Sequence, residues 1–270
     1  FILPWGLNLG AAGAGCATCL SNTVACLYFF VLLFVKRGKT YVCIKPSMFR
    51  PSKQIVKGVC GVGIPASIQN LLNVTGMTIL NNFTSVYGAN AVAAMGIAQK
   101  INQVPFFIAN GLGQGIMPLI SYNYGAKRLD RVKEAFFCQF FVCVGYTTVF
   151  WLLVMAFPKV FAGIFTSDGA LVDYTAWAIR IFLAGTFSVG FQVSCQLAFM
   201  ALGQAKISLI MACLRKLILL IPLIFILPNF FADKAFAVFL AEPVSDILAA
   251  AVTTITFFTF FRKLLKAGKQ

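Results

Sequence analysis

Three charged residues lie inside apolar runs of the sequence and are the first candidates for chemistry. Arg215 lies about nine residues into the run 207–227, and Glu242 and Asp246 lie about eight and twelve residues into the run 235–261. A charge inside a membrane span is costly, so it is paired or faces water, and it often marks an ion pathway. Because each helical residue adds about 1.5 Å, Arg215 and Asp246 reach similar depths in antiparallel helices. We predict that they pair, either to pin two helices or as a carboxylate that exchanges protons.

Amide side chains form a second polar set within the apolar runs. Gln69 and Asn73 are four residues apart, and Asn70 is three residues from Asn73, so all three lie near one helical face. Gln192 and Gln196 repeat the spacing of four residues. Such a face either lines a polar cavity or joins helices by hydrogen bonds, and the sequence weights the two alternatives evenly.

A further polar group includes a lysine within the apolar run 91–122. Lys100 either faces a cavity or carries its amine to the membrane interface, and its position slightly favours the interface. Its neighbours Gln99 and Gln103 are cavity candidates with it. The full set of candidates for a substrate or ion cavity is Gln69, Asn70, Asn73, Gln99, Lys100, Gln103, Gln192 and Gln196.

The residues that enzymes use are scarce in this chain. The sequence has no histidine, only 7 acidic residues, and neither a nucleophile elbow nor a phosphate-binding loop. Catalysis needs positioned acids, bases or nucleophiles, so we expect no enzyme activity and no cofactor. Most of the nine cysteines lie in apolar runs, and the CxxC spacing of Cys16 and Cys19 has no second pair. We therefore expect small buried residues rather than a metal site or a disulfide framework.

The composition places these residues in a membrane. The chain has 270 residues, of which 60% are hydrophobic and 11% are charged, and its mean hydropathy is +0.89. Soluble domains carry about 25% charged residues. Seven apolar runs are long enough to cross a hydrocarbon core about 30 Å thick as helices. They cover 9–35, 58–86, 91–122, 135–157, 171–201, 207–227 and 235–261. The predicted fold class is an all-α polytopic membrane protein.

The net charge of +15 is distributed as a membrane topology requires. Sixteen of the 22 lysine and arginine residues fall in loops or tails on one side of the seven-helix alternation. Cytoplasmic loops of membrane proteins carry such an excess, so we predict that this side and the C-terminus are cytoplasmic in a multi-pass protein of the plasma membrane. The same distribution explains the basic charge without a nucleic-acid partner.

The stretch 117–134 separates two apolar runs by a short cation-rich turn, in which Gly125 is expected to serve the turn. This stretch and several others resemble the MATE family of multidrug and toxic compound extrusion transporters. The motifs that carry the resemblance are Gly63-Ile64-Pro65, Gly88-Ala89-Asn90-Ala91, Gly111-Leu112-Gly113-Gln114-Gly115, Pro118-Leu119-Ile120-Ser121-Tyr122-Asn123-Tyr124-Gly125-Ala126 with Arg131-Val132-Lys133-Glu134, Ala201-Leu202-Gly203, Arg215 with Pro222, and Glu242-Pro243 with Asp246. They extend along essentially the whole chain, and their combination is specific.

The resemblance implies a domain plan, because members of the family look like two lobes of six helices. Residues 1–35 would form the last helix of a truncated N-terminal lobe, and 36–57 a basic cytoplasmic linker. Residues 58–262 would form the C-terminal lobe, followed by a cytoplasmic tail at 263–270. The chain has no initial methionine and opens on apolar residues. We therefore expect that it begins inside a larger protein, and that the missing N-terminal lobe is its partner.

The resemblance also implies a function in transport. Members look like antiporters that export cationic or amphipathic xenobiotics against an inward flow of H⁺ or Na⁺, by rocking of the lobes about a central cavity. Some members carry an acid about eight residues after the Gly-Ile-Pro motif, where this chain has Asn73. An amide cannot take up and release a proton, so the resemblance does not place proton coupling at Asn73.

Two alternatives to a drug antiporter remain open. One is a flippase or exporter of lipid-linked saccharides on a related fold, which would use cationic cavity residues such as Lys100, Arg180 and Arg215. The other is a non-transporting seven-helix membrane protein, which would be complete at this length.

Overall fold

A computed structural model describes residues 10–36 and 52–267 of the chain. These two ranges are almost entirely helical and contain no β-strand. The predicted all-α polytopic fold class is therefore confirmed. Most of the predicted basic linker, residues 37–51, lies outside the described residues, as do the first nine residues and the last three.

Ten α-helices follow one another along the described chain. They are α1 (Gly10–Val35), α2 (Lys53–Ser85), α3 (Ala89–Gly125), α4 (Leu129–Ala156), α5 (Pro158–Gly163), α6 (Gly169–Phe182), α7 (Phe187–Ala201), α8 (Ala205–Cys213), α9 (Ile221–Ile226) and α10 (Lys234–Ala267). A π-helical segment, Leu214–Leu220, joins α8 to α9, and a short 3₁₀ turn at Leu227–Asn229 follows α9.

Within residues 10–36 and 52–267, six stretches of helix are long and apolar enough to cross a membrane, and α6 with α7 make a seventh if the bent pair counts as one span. The segments from α8 through the 3₁₀ turn count together as one span. Many apolar side chains on the surface are exposed, including Leu71, Phe141 and Ile255. Such a surface suits a hydrocarbon solvent, because lipid is as apolar as these side chains.

The chain divides into two compact units, Phe1–Lys57 and Gly58–Gln270. Helix α1 belongs to the first unit. The second unit contains all the candidate polar residues and packs around two large apolar clusters. One cluster joins Leu80 and Met95 to Phe239, and the other is rich in phenylalanine around Phe136 and Phe257.

The span predicted at 171–201 is broken rather than continuous. Helix α6 ends at Phe182, α7 begins at Phe187, and the two are bent by 48°. Gly185 lies in this break, where an added Cβ would come within 2.9 Å of the Pro243 backbone. The absence of a side chain therefore lets the turn pack directly on α10.

The cation-rich turn after α3 is shorter than the sequence suggests, and the role expected of Gly125 falls to another residue. Helix α3 continues through Gly125, and α4 begins at Leu129. Lys127 has a φ of 57°, and its N–H donates to the carbonyl of Tyr124, while Arg128 N–H donates to Asn123. These two bonds form a Schellman cap, which needs one left-handed residue after the helix. The prediction for Gly125 was wrong, because Gly125 is still part of α3 and the left-handed residue of the turn is Lys127.

Candidate functional site

The predicted pairing of Arg215 with Asp246 is present, as part of a buried cluster of four charges. The Nε of Arg215 donates to Asp246 Oδ1 at 2.7 Å. The Nζ of Lys216 donates to Glu242 Oε1 at 2.7 Å, and Arg215 Nη2 lies 3.7 Å from the same oxygen. All four residues are at most 9% exposed. Because two cations face two carboxylates, the cluster is neutral as a whole, which a buried site requires.

Both cations lie on the π segment, and both pair with carboxylates of α10. In this segment the N–H of Ile221 donates to the carbonyl of Lys216, five residues earlier. π turns are rare and frequently occur at functional sites. The hydroxyl of Ser245 donates to the carbonyl of Arg215 at 2.7 Å. This bond fixes the π segment to α10 next to the ion pairs.

Helix α2 leaves room for the side chain of Lys216. A Cβ added at Gly76 would lie 3.2 Å from Lys216 Cδ and 3.4 Å from Leu220 Cδ2. The glycine therefore allows the lysine stem to lie against α2 while the amine reaches Glu242. The apolar part of the side chain is packed, and its charge is paired.

A cavity of about 220 Å³ lies beside this cluster, bounded by α2, α3, α7 and the segments around Arg215. Seven amide side chains line it: Gln69, Asn70 and Asn73 from α2, Asn110 and Gln114 from α3, and Gln192 and Gln196 from α7. Apolar residues such as Phe106 and Leu197 complete the wall. Asn70 and Gln114 are exposed as well as lining, so the cavity is open on their side. The cavity is therefore lined mostly by polar side chains, with an apolar part that a small molecule could also contact.

The sequence left two roles open for the amides, which were to line a cavity and to join helices by hydrogen bonds. Both roles occur, in different residues. Gln69 Nε2 donates to the hydroxyl of Ser208 at 3.2 Å, and Gln196 Nε2 donates to the Ser208 carbonyl at the same distance. These two amides join α2 and α7 to α8. Gln192 is only 2% exposed, and neither its Nε2 nor its Oε1 has a hydrogen-bond partner. An unpaired buried amide is costly, so Gln192 is available to a ligand.

Three of the predicted cavity candidates, all on α3, are not among the residues that line this cavity. The amide of Gln99 donates to Asn81 Oδ1 at 3.0 Å and is used in joining α3 to α2. Lys100 is exposed, as the interface alternative for it proposed. Gln103 is half-buried and lies seven residues before Asn110, which is about 10 Å along a helix. The three predicted residues lie in a helix that does line the cavity, but nearer to its N-terminus than the residues of α3 that line it.

Several lining residues did not enter the predicted site. On α3, Phe106, Asn110 and Gln114 are spaced by four residues, so the periodicity that selected the α2 amides would also have selected them. Lys216 lines the cavity beside Arg215. Helical spacing gave no reason to add Lys216, because consecutive residues of an α-helix point to different faces.

The charges around the cavity are unevenly arranged. Arg215 and Lys216 line it, whereas their partners Glu242 and Asp246 lie behind them on α10. Among the lining residues that the structure describes, none is acidic. Of the side-chain nitrogens of Arg215, only Nε donates a hydrogen bond within the described protein. The terminal Nη groups can still donate hydrogen bonds to another molecule.

Comparison with known proteins identifies the family. The multidrug export protein MepA of Staphylococcus saprophyticus is 30% identical over 256 residues, which are 93% of this chain and 55% of that protein. MepA of Staphylococcus aureus is 31% identical over 233 residues, which are 85% of this chain and 50% of that protein. The chain thus spans about half the length of these curated relatives.

The fold has matching solved structures. The crystal structure of MATE in complex with MaL6 superposes with a TM-score of 0.87 at 24% identity, and it covers 98% of this chain and 60% of that one. The MatE family model matches residues 65–226, which is more than half of the chain and includes α3 to α9. The chain is therefore a member of the MATE family of membrane transporters.

Proposed function

We propose that this chain is the C-terminal half of a multidrug exporter, which carries amphipathic compounds, including organic cations, across the plasma membrane in exchange for H⁺ or Na⁺. The observation that carries the proposal is the amide-lined cavity between membrane-spanning helices. Both MepA relatives are described as multidrug export proteins, and their similarity extends over most of this chain. The chain spans about half of their length, so we propose that it acts with an N-terminal half.

The cavity suits many ligands because of its chemistry. Amides both donate and accept hydrogen bonds, and the apolar wall around Phe106 and Leu197 makes few demands on ligand shape. Amphipathic compounds satisfy both parts of such a site. We further propose that the two halves rock about the cavity in alternating access, with the C-terminus of this chain in the cytoplasm. The basic residues at its end, Arg262, Lys263 and Lys266, support that orientation.

Efflux measurements test the proposal directly. The whole transporter, with this chain as its C-terminal half, would be expressed in cells loaded with ethidium, a fluorescent amphipathic cation. We expect faster loss of fluorescence than in cells with an empty vector, and dependence on an imposed H⁺ or Na⁺ gradient. Equal rates under all gradients, with the protein present in the membrane, would contradict the antiporter.

The charge cluster is our candidate for the coupling site within this half. Asp246→Asn keeps the shape of the side chain and removes its ability to lose a proton. If Asp246 exchanges protons, the variant accumulates normally but no longer responds to an imposed pH gradient. If Asp246 only pins α10 to the π segment, abundance falls and the remaining protein stays coupled. Transport and membrane abundance measured together separate the two roles.

A specific observation favours a second candidate, the export of lipid-linked saccharides. That function predicted cationic residues at the cavity, and Arg215 is there together with Lys216. Lys100 and Arg180, the other two residues considered for it, are exposed and do not line the cavity. Loss of a lipid-linked saccharide from the outer leaflet in cells that lack the transporter would support this candidate over drug export.

A further inference from the structure

We propose that the cavity in this half of the transporter binds the anionic group of an amphipathic ligand, with Arg215 and Lys216 as the charged partners and Gln192 as the polar one. This assignment rests on the proposed export function and narrows its substrates. It selects carboxylate, sulfonate or phosphate groups carried on an apolar body, rather than an organic cation, as the ligand chemistry of this cavity.

The first support is the sign of the charges that a ligand meets. Arg215 and Lys216 line the cavity, and their carboxylate partners lie behind them on α10. Although the cluster is neutral, its dipole presents the positive end to the ligand. A cation would meet this positive end, and no lining side chain among the described residues offers it a negative charge. Electrostatic repulsion therefore disfavours a cation at this position.

The second support is the number of donors left over. Arg215 has five N–H donors in a fixed planar fork; only Nε donates a hydrogen bond, to Asp246, while Nη2 lies 3.7 Å from Glu242 Oε1, beyond hydrogen-bond distance. The Nζ of Lys216 has three donors, of which one is used by Glu242. The pair Nη1 and Nη2 matches the two oxygens of a carboxylate or sulfonate, so an anion can bind without breaking the ion pair with Asp246.

The third support is independent of charge. Gln192 is 2% exposed, lines the same cavity, and has neither amide atom paired. Two buried glutamines in the described chain have both amide atoms unpaired, Gln139 and Gln192, and of the two only Gln192 lines the cavity, where a ligand can supply its partner. The amide donor would add to the donors of Arg215, and its acceptor oxygen would accept from a protonated or hydroxyl group of the ligand.

A matched pair of ligands tests the sign of the site. Naphthalene-2-sulfonate and 2-naphthyltrimethylammonium share an aromatic body and differ in the charge of the attached group. Their affinities would be measured by titration of the purified whole transporter in nanodiscs. We expect the sulfonate to bind at least about tenfold more tightly, as charge-assisted bidentate hydrogen bonds would give. Equal or tighter binding of the ammonium ligand would overturn the proposal.

Variants locate the preference in the cavity. Arg215→Gln combined with Asp246→Asn removes the guanidinium without leaving an unpaired charge, and it should lower sulfonate affinity about tenfold. Gln192→Leu should lower it by a smaller factor, about threefold, without a change in charge. Lys100→Gln is the matched control, because it removes a cation that does not line the cavity and should leave sulfonate affinity unchanged.

The outcomes keep this proposal separate from the proposed export function. If the folded double variant, checked by its thermal melting, retains the preference for sulfonate, the anion site is wrong. If Lys100→Gln loses the preference, the effect is one of general charge, and the site is equally wrong. A sulfonate preference that the double variant removes supports the site even if ethidium efflux is absent, in which case only the export function fails.

Discussion

The two sides of the cavity are held in opposite ways. On one side, the π segment and α10 are joined by charges that all have partners, with Arg215 bonded to Asp246 and Lys216 to Glu242. On the other side, α7 is positioned by close backbone packing at Gly190 and by the hydrogen bond from Gln196 to Ser208, while the amide of Gln192 stays unpaired. The first side uses its polarity for structure and keeps spare donors, while the second places an unused polar group where a ligand can reach it.

This difference teaches how polar residues inside a membrane divide their roles. A buried charge must be paired in the absence of ligand, since an isolated ion in a low-dielectric environment is too costly. An unpaired neutral amide costs about 1–3 kcal/mol, which a folded bundle can tolerate. An amide such as Gln192 can therefore stay unpaired until a ligand binds, whereas a buried charge cannot; the ion pairs hold the helices together with the paired amides Gln69 and Gln196.

Breaking the charged side should have the largest effect. Asp246→Ala leaves Arg215 buried with only Glu242, 3.7 Å from its Nη2, as a partner, and we expect this to cost about 3–5 kcal/mol. We expect a large fall in membrane abundance and in the thermal melting temperature of the purified protein. The double variant Arg215→Met with Asp246→Leu removes both charges and should recover most of the loss. Normal abundance of Asp246→Ala would show that the cluster does not hold this side.

The close packing of α7 gives the next largest effect. A Cβ at Gly190 would come within 2.9 Å of the Cys143 carbonyl and Val144 Cα, and would meet the Thr147 hydroxyl as well. Gly190→Ala should therefore cost about 1–3 kcal/mol through displacement of α7 from α4. Gly145→Ala is the control, because a Cβ at Gly145 meets nothing within 4 Å. Equal melting temperatures for both variants would contradict the packing explanation.

Replacement of the unpaired amide of Gln192 should have the reverse effect of the two preceding substitutions, because function should be lost while stability is kept. Gln192→Leu removes an amide that has no partner, so we expect a gain of up to about 1 kcal/mol in stability. The affinity for naphthalene-2-sulfonate should decrease, because the polar partner proposed for that ligand is gone. Thermal melting and sulfonate titration on the same preparation separate the two effects. Destabilisation by more than about 1 kcal/mol would mean that Gln192 is bonded in the free protein.

The smallest effect is expected outside both sides of the cavity. Lys127 is left-handed at the Schellman cap after α3, whereas Gly203 holds the equivalent position after α7 with a φ of 76°. Lys127→Gly should stabilise the protein by about 0.5 kcal/mol, because glycine avoids a left-handed penalty of about 1 kcal/mol but gains freedom in the unfolded chain. Gly203→Ala should destabilise it by about 1 kcal/mol. Ligand binding should be unchanged in both, and opposite shifts in melting temperature are the measured result.

Much of the helical architecture is readable from the apolar runs, because a bilayer requires each span to satisfy its own backbone. Apart from the break between α6 and α7, the errors fall at the ends of helices. Helix α2 begins at Lys53, five residues before the predicted start at 58, and α4 begins at Leu129 instead of 135. In both cases the helix extends beyond its apolar run into a charged segment. Hydropathy locates the run and not the end of the hydrogen-bonded helix.

The sequence predicts the site only where the site depends on residue spacing along one helix or on depth within the membrane. The pairing of Arg215 with Asp246 followed from counting residues from opposite ends of two spans. The neighbouring pair of Lys216 with Glu242 did not, because it depends on a local π segment that hydropathy does not report. Lys100 and Gln103 were predicted as cavity residues and do not line this cavity. The reason is related, since nothing in the sequence fixes how far along α3 the cavity lies.

The π segment has a consequence for how this span tolerates a change in length. Its backbone bonds join residues five apart, so it holds one residue more than a regular α-helix would place there. Deletion of one residue from a regular span turns every later side chain by about 100° and destroys the pattern of lipid-facing and inward-facing groups. A deletion within Leu214–Leu220 can instead be absorbed by conversion to α-helix. The span would keep its outer face toward lipid, so a transporter shortened within this segment would remain inserted in the membrane.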